Sequence, residues 1–168
     1  MPQRKKPVFR CLLLALVLAG APWLATRALA AEAPMQQRTL HVTHIAARDL
    51  LTSLRTIAYV EDLKAVDDHT IVVTDKAEQL DLAEAVTEMA DKSDATADER
   101  LDVSDGTVIL CVALQNASSV DVMRALMNRL HIARQATLGE KRLFLRDTDE
   151  KITAALKVIS DLDSPASH

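Results

Sequence analysis

Glycine is scarce in this chain. There are three glycines in 168 residues, and beyond the first thirty only Gly106 and Gly139 remain. A phosphate-cradling loop and a G-x-S-x-G nucleophile elbow both need clustered glycines, and neither motif occurs. Aromatic residues make up 2% of the chain. Sites that hold sugars or bases by stacking lean on aromatic platforms, so that kind of recognition is disfavoured and the core must be aliphatic. Cysteine is nearly absent too. Cys11 falls in the N-terminal segment described next, and Cys111 stands alone in the apolar stretch "TVILCVAL". That leaves no internal disulfide, and it predicts a buried, inert thiol.

The N-terminus has the plan of an export signal. Arg4, Lys5, Lys6 and Arg10 precede the apolar run "CLLLALVLAGAPWLA", and Ala28-Leu29-Ala30 supplies a small-x-small cleavage site. The run is broken by Gly20 and Pro22 and falls short of the ~20 residues a spanning helix needs, so residues 1–30 are expected to be cleaved and no membrane span to remain. Trp23 would leave with them, and Tyr59 and Phe144 would be the remaining aromatics. Cleavage removes five basic residues (Arg4, Lys5, Lys6, Arg10, Arg27) and no acidic one. From 20 basic and 24 acidic residues it leaves 15 against 24, a net charge of −9. Such a chain repels phosphate backbones, and nucleic acid is not an expected partner.

What is present is a pattern that recurs. "RTLHVT" alternates as a half-buried strand, and "ARDLLTSLRTIA" stripes Leu50, Leu51, Leu54, Ile57 and Ala58 as a helix. "YVEDLKAV" and "TIVVT" read as strands joined at Asp67-Asp68-His69, followed by the helix "KAEQLDLAEAVTEMA". The same order returns as "TVILCVAL", "SVDVMRALMNRL", "IARQATL", "KRLFLR" and "DEKITAALKVISDL". A constant shift of 72 pairs Asp49 with Asp121, Leu54 with Leu126, Asp75 with Asp147 and Glu78 with Glu150, without a gap. It also pairs Ala83 with Ala155, Val86 with Val158 and Asp91 with Asp163. The polar stretch "DKSDATADERLDVSDG" between the copies has the composition of a linker. The reading is therefore α+β, with two tandem βαββα modules at residues 38–91 and 107–165 and a linker at 92–106.

In both copies an Asp-x-x-Glu stands where the last strand gives way to the last helix. Asp75 with Glu78, and Asp147 with Glu150, are expected to form capping boxes and so to serve architecture rather than catalysis. Ser118 is expected to cap the first helix of the second copy. Copy one has Ala46 there, so its first helix is expected to fray. His41-x-x-His44 suggests a metal site, but residues i and i+3 of a strand face opposite ways, so no metal and no cofactor is assigned.

"VALQNASSVDVMRAL" (112–126) and "KRLFLRDTDEKITAALKVISDLDSP" (141–165) resemble the periplasmic N-domains of secretins, the outer-membrane pores of type II and type III secretion and of type IV pili. The carriers are the turn Leu114-Gln115-Asn116-Ala117 and the helix end Leu162-Asp163. "HTIVVTDKAEQLDLAEAVTEMAD" matches the later half in copy one, whose "HVTHIAARDLL" lacks the Asn-Ala turn. The resemblance runs from about Arg38 to Pro165. It implies KH-like modules, each with a three-stranded sheet and two helices on one face. The G-x-x-G clamp of RNA-binding KH domains is missing. Family members continue into a large β-barrel region that this chain lacks, so the resemblance is to the periplasmic part alone.

From these residues the expected function is non-enzymatic. The chain would be a periplasmic interaction module binding a secretion or pilus component, or a second copy of itself, through sheet edges and strand faces. Val72, Phe144 and Tyr59 are the candidate contact residues, either docking a partner or covered by the neighbouring module. Two other readings stand beside this one: a small-ligand binder or enzyme using an inter-module cleft with the linker acids or His41 and His44 at its rim, and a signalling module of the kind that precedes some TonB-dependent receptors.

Overall fold

The computed structural model describes residues 33–92, 98–132 and 134–165. The signal read at residues 1–30 lies outside them, and so do residues 93–97 of the linker. From Pro34 onward the chain forms one compact unit.

The first module runs β1 (Gln36–His41), α1 (Ala47–Ser53), a π-helical turn (Leu54–Ala58), β2 (Asp62–Asp67), β3 (Thr70–Asp75) and α2 (Ala77–Ala90). The second runs β4 (Glu99–Asp102), β5 (Thr107–Ala113), α3 (Ser119–Leu130), β6 (Arg134–Leu138), β7 (Arg142–Thr148) and α4 (Asp149–Asp163). Both sheets are antiparallel, in the orders β1-β3-β2 and β4-β5-β7-β6. The α+β class and the tandem modules are as read from the sequence.

The shift of 72 holds in the strand registers, except beyond Ala65, where a bulge in β2 sets Asp67 rather than Val66 opposite Thr70. Thr39 and Lys64 flank Val72 in the first sheet as Cys111 and Ala136 flank Phe144 in the second. It holds in the connecting backbone bonds as well. Val42 N–H to His69 carbonyl and Ala47 N–H to Asp68 carbonyl recur as Leu114 to Lys141 and Ser119 to Glu140. Even the left-handed residues that end the first helices correspond, Tyr59 (φ 59°) with His131 (φ 53°).

Two readings of the chain are revised. The segment read as linker contributes β4, because Leu101 and Val103 alternate with charge and pack onto the first core. Gly106, at φ 80°, makes the turn from β4 to β5 in a backbone region costly for any residue with a Cβ. Tyr59 and Val60 are not strand, since Tyr59 closes the π-helical turn and donates its N–H to the Leu54 carbonyl.

The modules stack head to tail. One core holds Leu40, Ile71 and Val73 of the first sheet with Leu50, Leu54, Ile57, Leu80 and Val86 of its helices. The same core continues into Ile109, Cys111, Ala136, Leu138 and Phe144 of the second sheet. The other face of that sheet, with Val108, Leu110, Val112, Leu143 and Leu145, packs against Val122, Leu126, Ile152, Ala155 and Ile159 of α3 and α4. The order of layers is thus sheet, helices, sheet, helices, with the second sheet covered on both sides.

Candidate functional site

With the layers fixed, each sheet can be compared on the side away from its own helices. In β7 the side chains of Arg142, Phe144 and Arg146 point toward the first module. Phe144 is fully buried and Arg146 is 4% exposed. Arg146 Nη1 donates to the Ile57 carbonyl at 2.6 Å, Nη2 to Asp105 Oδ2 at 2.7 Å and Nε to Thr107 Oγ1 at 3.0 Å. Arg142 donates to the carbonyls of Ala90 and Lys92, at the end of α2. Two arginines therefore satisfy carbonyls at the ends of both first-module helices, groups that a helix terminus leaves without internal partners. The guanidinium carbons of Arg134 and Arg146 lie over the Tyr59 ring, 4.2 Å and 4.8 Å from its centroid.

This placement separates the two roles offered for the contact residues. Phe144 cannot dock a partner, because it sits at the centre of the junction between modules. Tyr59 is half-buried there, with its hydroxyl buried and without a hydrogen-bond partner. Of the three, only Val72 faces outward, half-exposed between Thr39 and Lys64. Its surroundings, Gln37, Thr39, Lys64, Thr70 and Thr74, are polar.

The capping boxes are corrected as well. Each last helix starts one residue later than read, with Lys76 and Thr148 at the cap positions and no side-chain cap bond at either. Asp75 and Asp147 lie just before those positions and accept the next residue's N–H, at 2.7 Å from Lys76 and 2.9 Å from Thr148. Glu78 and Glu150 remain in the first turn, where the helix dipole favours them. Ser118 is at the cap position of α3 but makes no cap bond, so Ala46 is not the handicap expected of copy one.

The sequence reading missed how a different pair of acids is used. The Asp163 carboxylate accepts N–H bonds from Gln115, Asn116 and Ala117, and Asn116 Nδ2 donates back to the Asp163 carbonyl. Asp91 does the same at the equivalent turn, accepting from Thr43, His44 and Ile45. His44 stands in for the asparagine, with Nδ1 donating to the Asp91 carbonyl at 2.6 Å. The turn thought lost in copy one is kept with a different side chain. Burial pushes both carboxyls up, but the converging N–H groups outweigh it and hold both below the usual carboxylate range. A signal was available, since the shift that pairs Asp91 with Asp163 also sets His44 opposite Asn116.

Burial pushes the Cys111 thiol up to about 12, so it stays protonated. His69 Nδ1 donates to the Val42 carbonyl. Among the described residues no group of three or more His, Cys, Asp or Glu is placed to hold a metal. A groove of about 430 Å³ runs between the modules beside His44, Asp49, Glu140, Lys141 and Arg142. His44 and Arg142 are already engaged, and Lys141 Nζ rests on the carbonyls of Gln115, Asn116 and Ala117. No helix of the described residues is long and apolar enough to cross a membrane.

No family model matches the chain, and no curated protein matches it. Among solved structures it is similar to the N-terminal domain of the secretin XcpQ from Pseudomonas aeruginosa, with 15% identity and a TM-score of 0.35, over 77% of this chain and 62% of that one. It is also similar to the type II secretion system secretin GspD of E. coli K12, with 16% identity and a TM-score of 0.31, over 80% and 26%. GspD in the ETEC pilotin–secretin AspS–GspD complex gives 17% identity and a TM-score of 0.33, over 80% and 25%. The chain spans less than two thirds of the length of each.

Proposed function

We propose that this chain is an exported, non-enzymatic interaction module, a periplasmic adaptor or accessory component of a secretin-based secretion or pilus system. The observation that carries this reading is the use made of its polar side chains. Asp91, Asp163, His44, Lys141, Arg142 and Arg146 all hold backbone in place, and what they build is a stack of two modules. Surfaces and sheet edges remain for binding. The resemblance of residues 112–126 and 141–165 to secretin N-domains supports a partner in such an envelope assembly.

The reading is tested by affinity purification of the tagged protein from periplasmic extract. Enrichment of a secretion or pilus envelope protein is expected, and an eluate without one counts against it. The groove beside His44 and Asp49 favours a second reading, in which a small ligand binds between the modules. A ligand-induced rise in melting temperature that Asp49→Ala abolishes would support that alternative.

A further inference from the structure

The second sheet has a strand that the first lacks. β4 pairs with β5 through Glu99↔Cys111, Arg100↔Leu110, Leu101↔Ile109 and Asp102↔Val108. Shifted by 72, the same edge in the first sheet is Gln36–Thr39 of β1, and among the described residues no strand pairs with it. An unpaired edge presents a row of N–H and C=O groups ready for another strand.

The ground beside this edge is acidic. A groove of about 190 Å³ runs along it, between Thr39, Leu40 and His41 of β1 and Glu84, Thr87 and Glu88 of α2. Asp81, Glu84 and Glu88 share one helical stripe. Arg38 of β1 reaches Asp81 at 2.8 Å and Glu84 at 2.6 Å, so a cation on a strand at this level is within range of them. The side chains of Asp81 and Glu84 are still 71% and 52% exposed. The second sheet supplies the precedent, because Arg100 of β4 reaches Asp149 at the start of α4 at 2.7 Å. The whole module leans the same way, with six basic and eleven acidic residues between 34 and 92.

We propose that the β1 edge takes an extended segment of a partner protein as the fourth strand of the first sheet, with Lys or Arg at alternate positions over α2. Alternate residues of a strand stand ~7 Å apart on one face, close to the ~6 Å rise between helix residues four apart, so two cations can meet two of the acids. This rests on the interaction role proposed above and names the chemistry of the partner.

The probes are two capped hexapeptides, alternating Val-Lys and alternating Val-Glu, added at millimolar concentration to the purified protein. Amide hydrogen exchange is then followed by NMR. The Val-Lys peptide is expected to slow exchange of alternate β1 amides in Gln36–Thr39 by about tenfold. The Val-Glu peptide is expected to leave them unchanged, and an E84K/E88K double variant to lose the effect. Slowing by both peptides, slowing by neither, or protection of β2 or β6 instead would overturn the proposal. The double variant also serves as bait in the co-purification. If it still captures the envelope partner, the adaptor reading stands and the edge proposal falls. If the unaltered protein captures none while Val-Lys protects β1, the edge stands and the adaptor reading falls.

Discussion

Val72 and Phe144 occupy the same place in their two sheets, yet one looks into solvent and the other into a core. Around Phe144 the outward face of the second sheet carries Ile109, Cys111, Ala136 and Leu138, all buried under the first module's helices. At the corresponding positions around Val72 stand Gln37, Thr39 and Lys64, while Val66 lies in the bulge of β2. Arg142 and Arg146, which tie the modules together, correspond to Thr70 and Thr74. The fold thus has one apolar, arginine-flanked face, already used, and one polar face left open. Stacked repeats commonly carry a polar outer face on the terminal unit, which keeps the end of the stack soluble. The first sheet has that character, and its outer face does not repeat the apolar interface between the modules.

The largest expected effect lies at the two central residues. Phe144→Ala removes a fully buried ring from the junction and is expected to cost about 3–5 kcal/mol in urea unfolding. Val72→Ala at the matching place is expected to cost less than about 1 kcal/mol. Similar losses at both positions would mean that the first sheet's outer face is covered as well.

Next comes the buried arginine. Arg146→Met would leave the Ile57 carbonyl without the guanidinium and free Asp105 and Thr107 from it. The Asp105 side chain is 48% exposed, so solvent screens that ion pair and the buried carbonyl dominates the loss. About 2–3 kcal/mol is expected, against a change within about 0.5 kcal/mol for Thr74→Met. Arg146→Lys should not restore stability, because an ammonium cannot span three acceptors arranged for a planar fork.

The difference between the faces was legible in the strands. "TVILCVAL" is apolar without alternation, the mark of a strand covered on both sides, whereas "RTLHVT" alternates as a strand covered on one. The length, order and offset of the modules followed from the same periodicity. β4 was not legible, because two apolar residues among charges do not separate a strand from a linker without the neighbour they pack against. The capping boxes failed for a local reason, a helix start displaced by one residue. The Asp91 and Asp163 clips failed for a non-local one, since their partners lie 46 to 48 positions away.

Those clips give the third prediction, in which the two modules should behave alike. Both carboxyls titrate lower in the folded protein than in the unfolded chain. Their stabilisation is therefore fully present above the unfolded value near pH ~4 and lost as pH falls through the folded one. Asp91→Asn and Asp163→Asn are each expected to cost about 1–2 kcal/mol at pH 7. In the double variant the melting temperature should fall less steeply between pH 4 and pH 2.5. An unchanged acid slope would show that other carboxylates carry it.

The open face can also be made to resemble the covered one. Thr39→Val, Lys64→Ala and Val72→Phe together would place an apolar patch where the first module now ends. Stability is expected to change by less than about 1 kcal/mol, since none of these side chains is buried. Solubility should change instead. Sedimentation velocity is expected to show concentration-dependent self-association that the unaltered protein lacks at the same concentration.

The smallest effect belongs to the acids before the last helices, where the modules differ by one contact. Asp75 and Asp147 each accept a single N–H from the following residue, but only Asp147 also receives Lys151, its Oδ2 lying 3.1 Å from the ammonium. The Asp147 side chain is 17% exposed, which keeps some of that attraction from being screened. An asparagine at either place retains an oxygen for the N–H and gives up only the charge. Asp75→Asn is therefore expected to cost a few tenths of a kcal/mol through the helix dipole alone, and Asp147→Asn about 0.5 kcal/mol more through the lost ion pair. Raising the salt concentration should shrink the difference between the two variants without removing the common part. If Asp75→Asn proved the costlier change, the helix start in the first module would depend on that carboxylate in a way its single hydrogen bond does not explain.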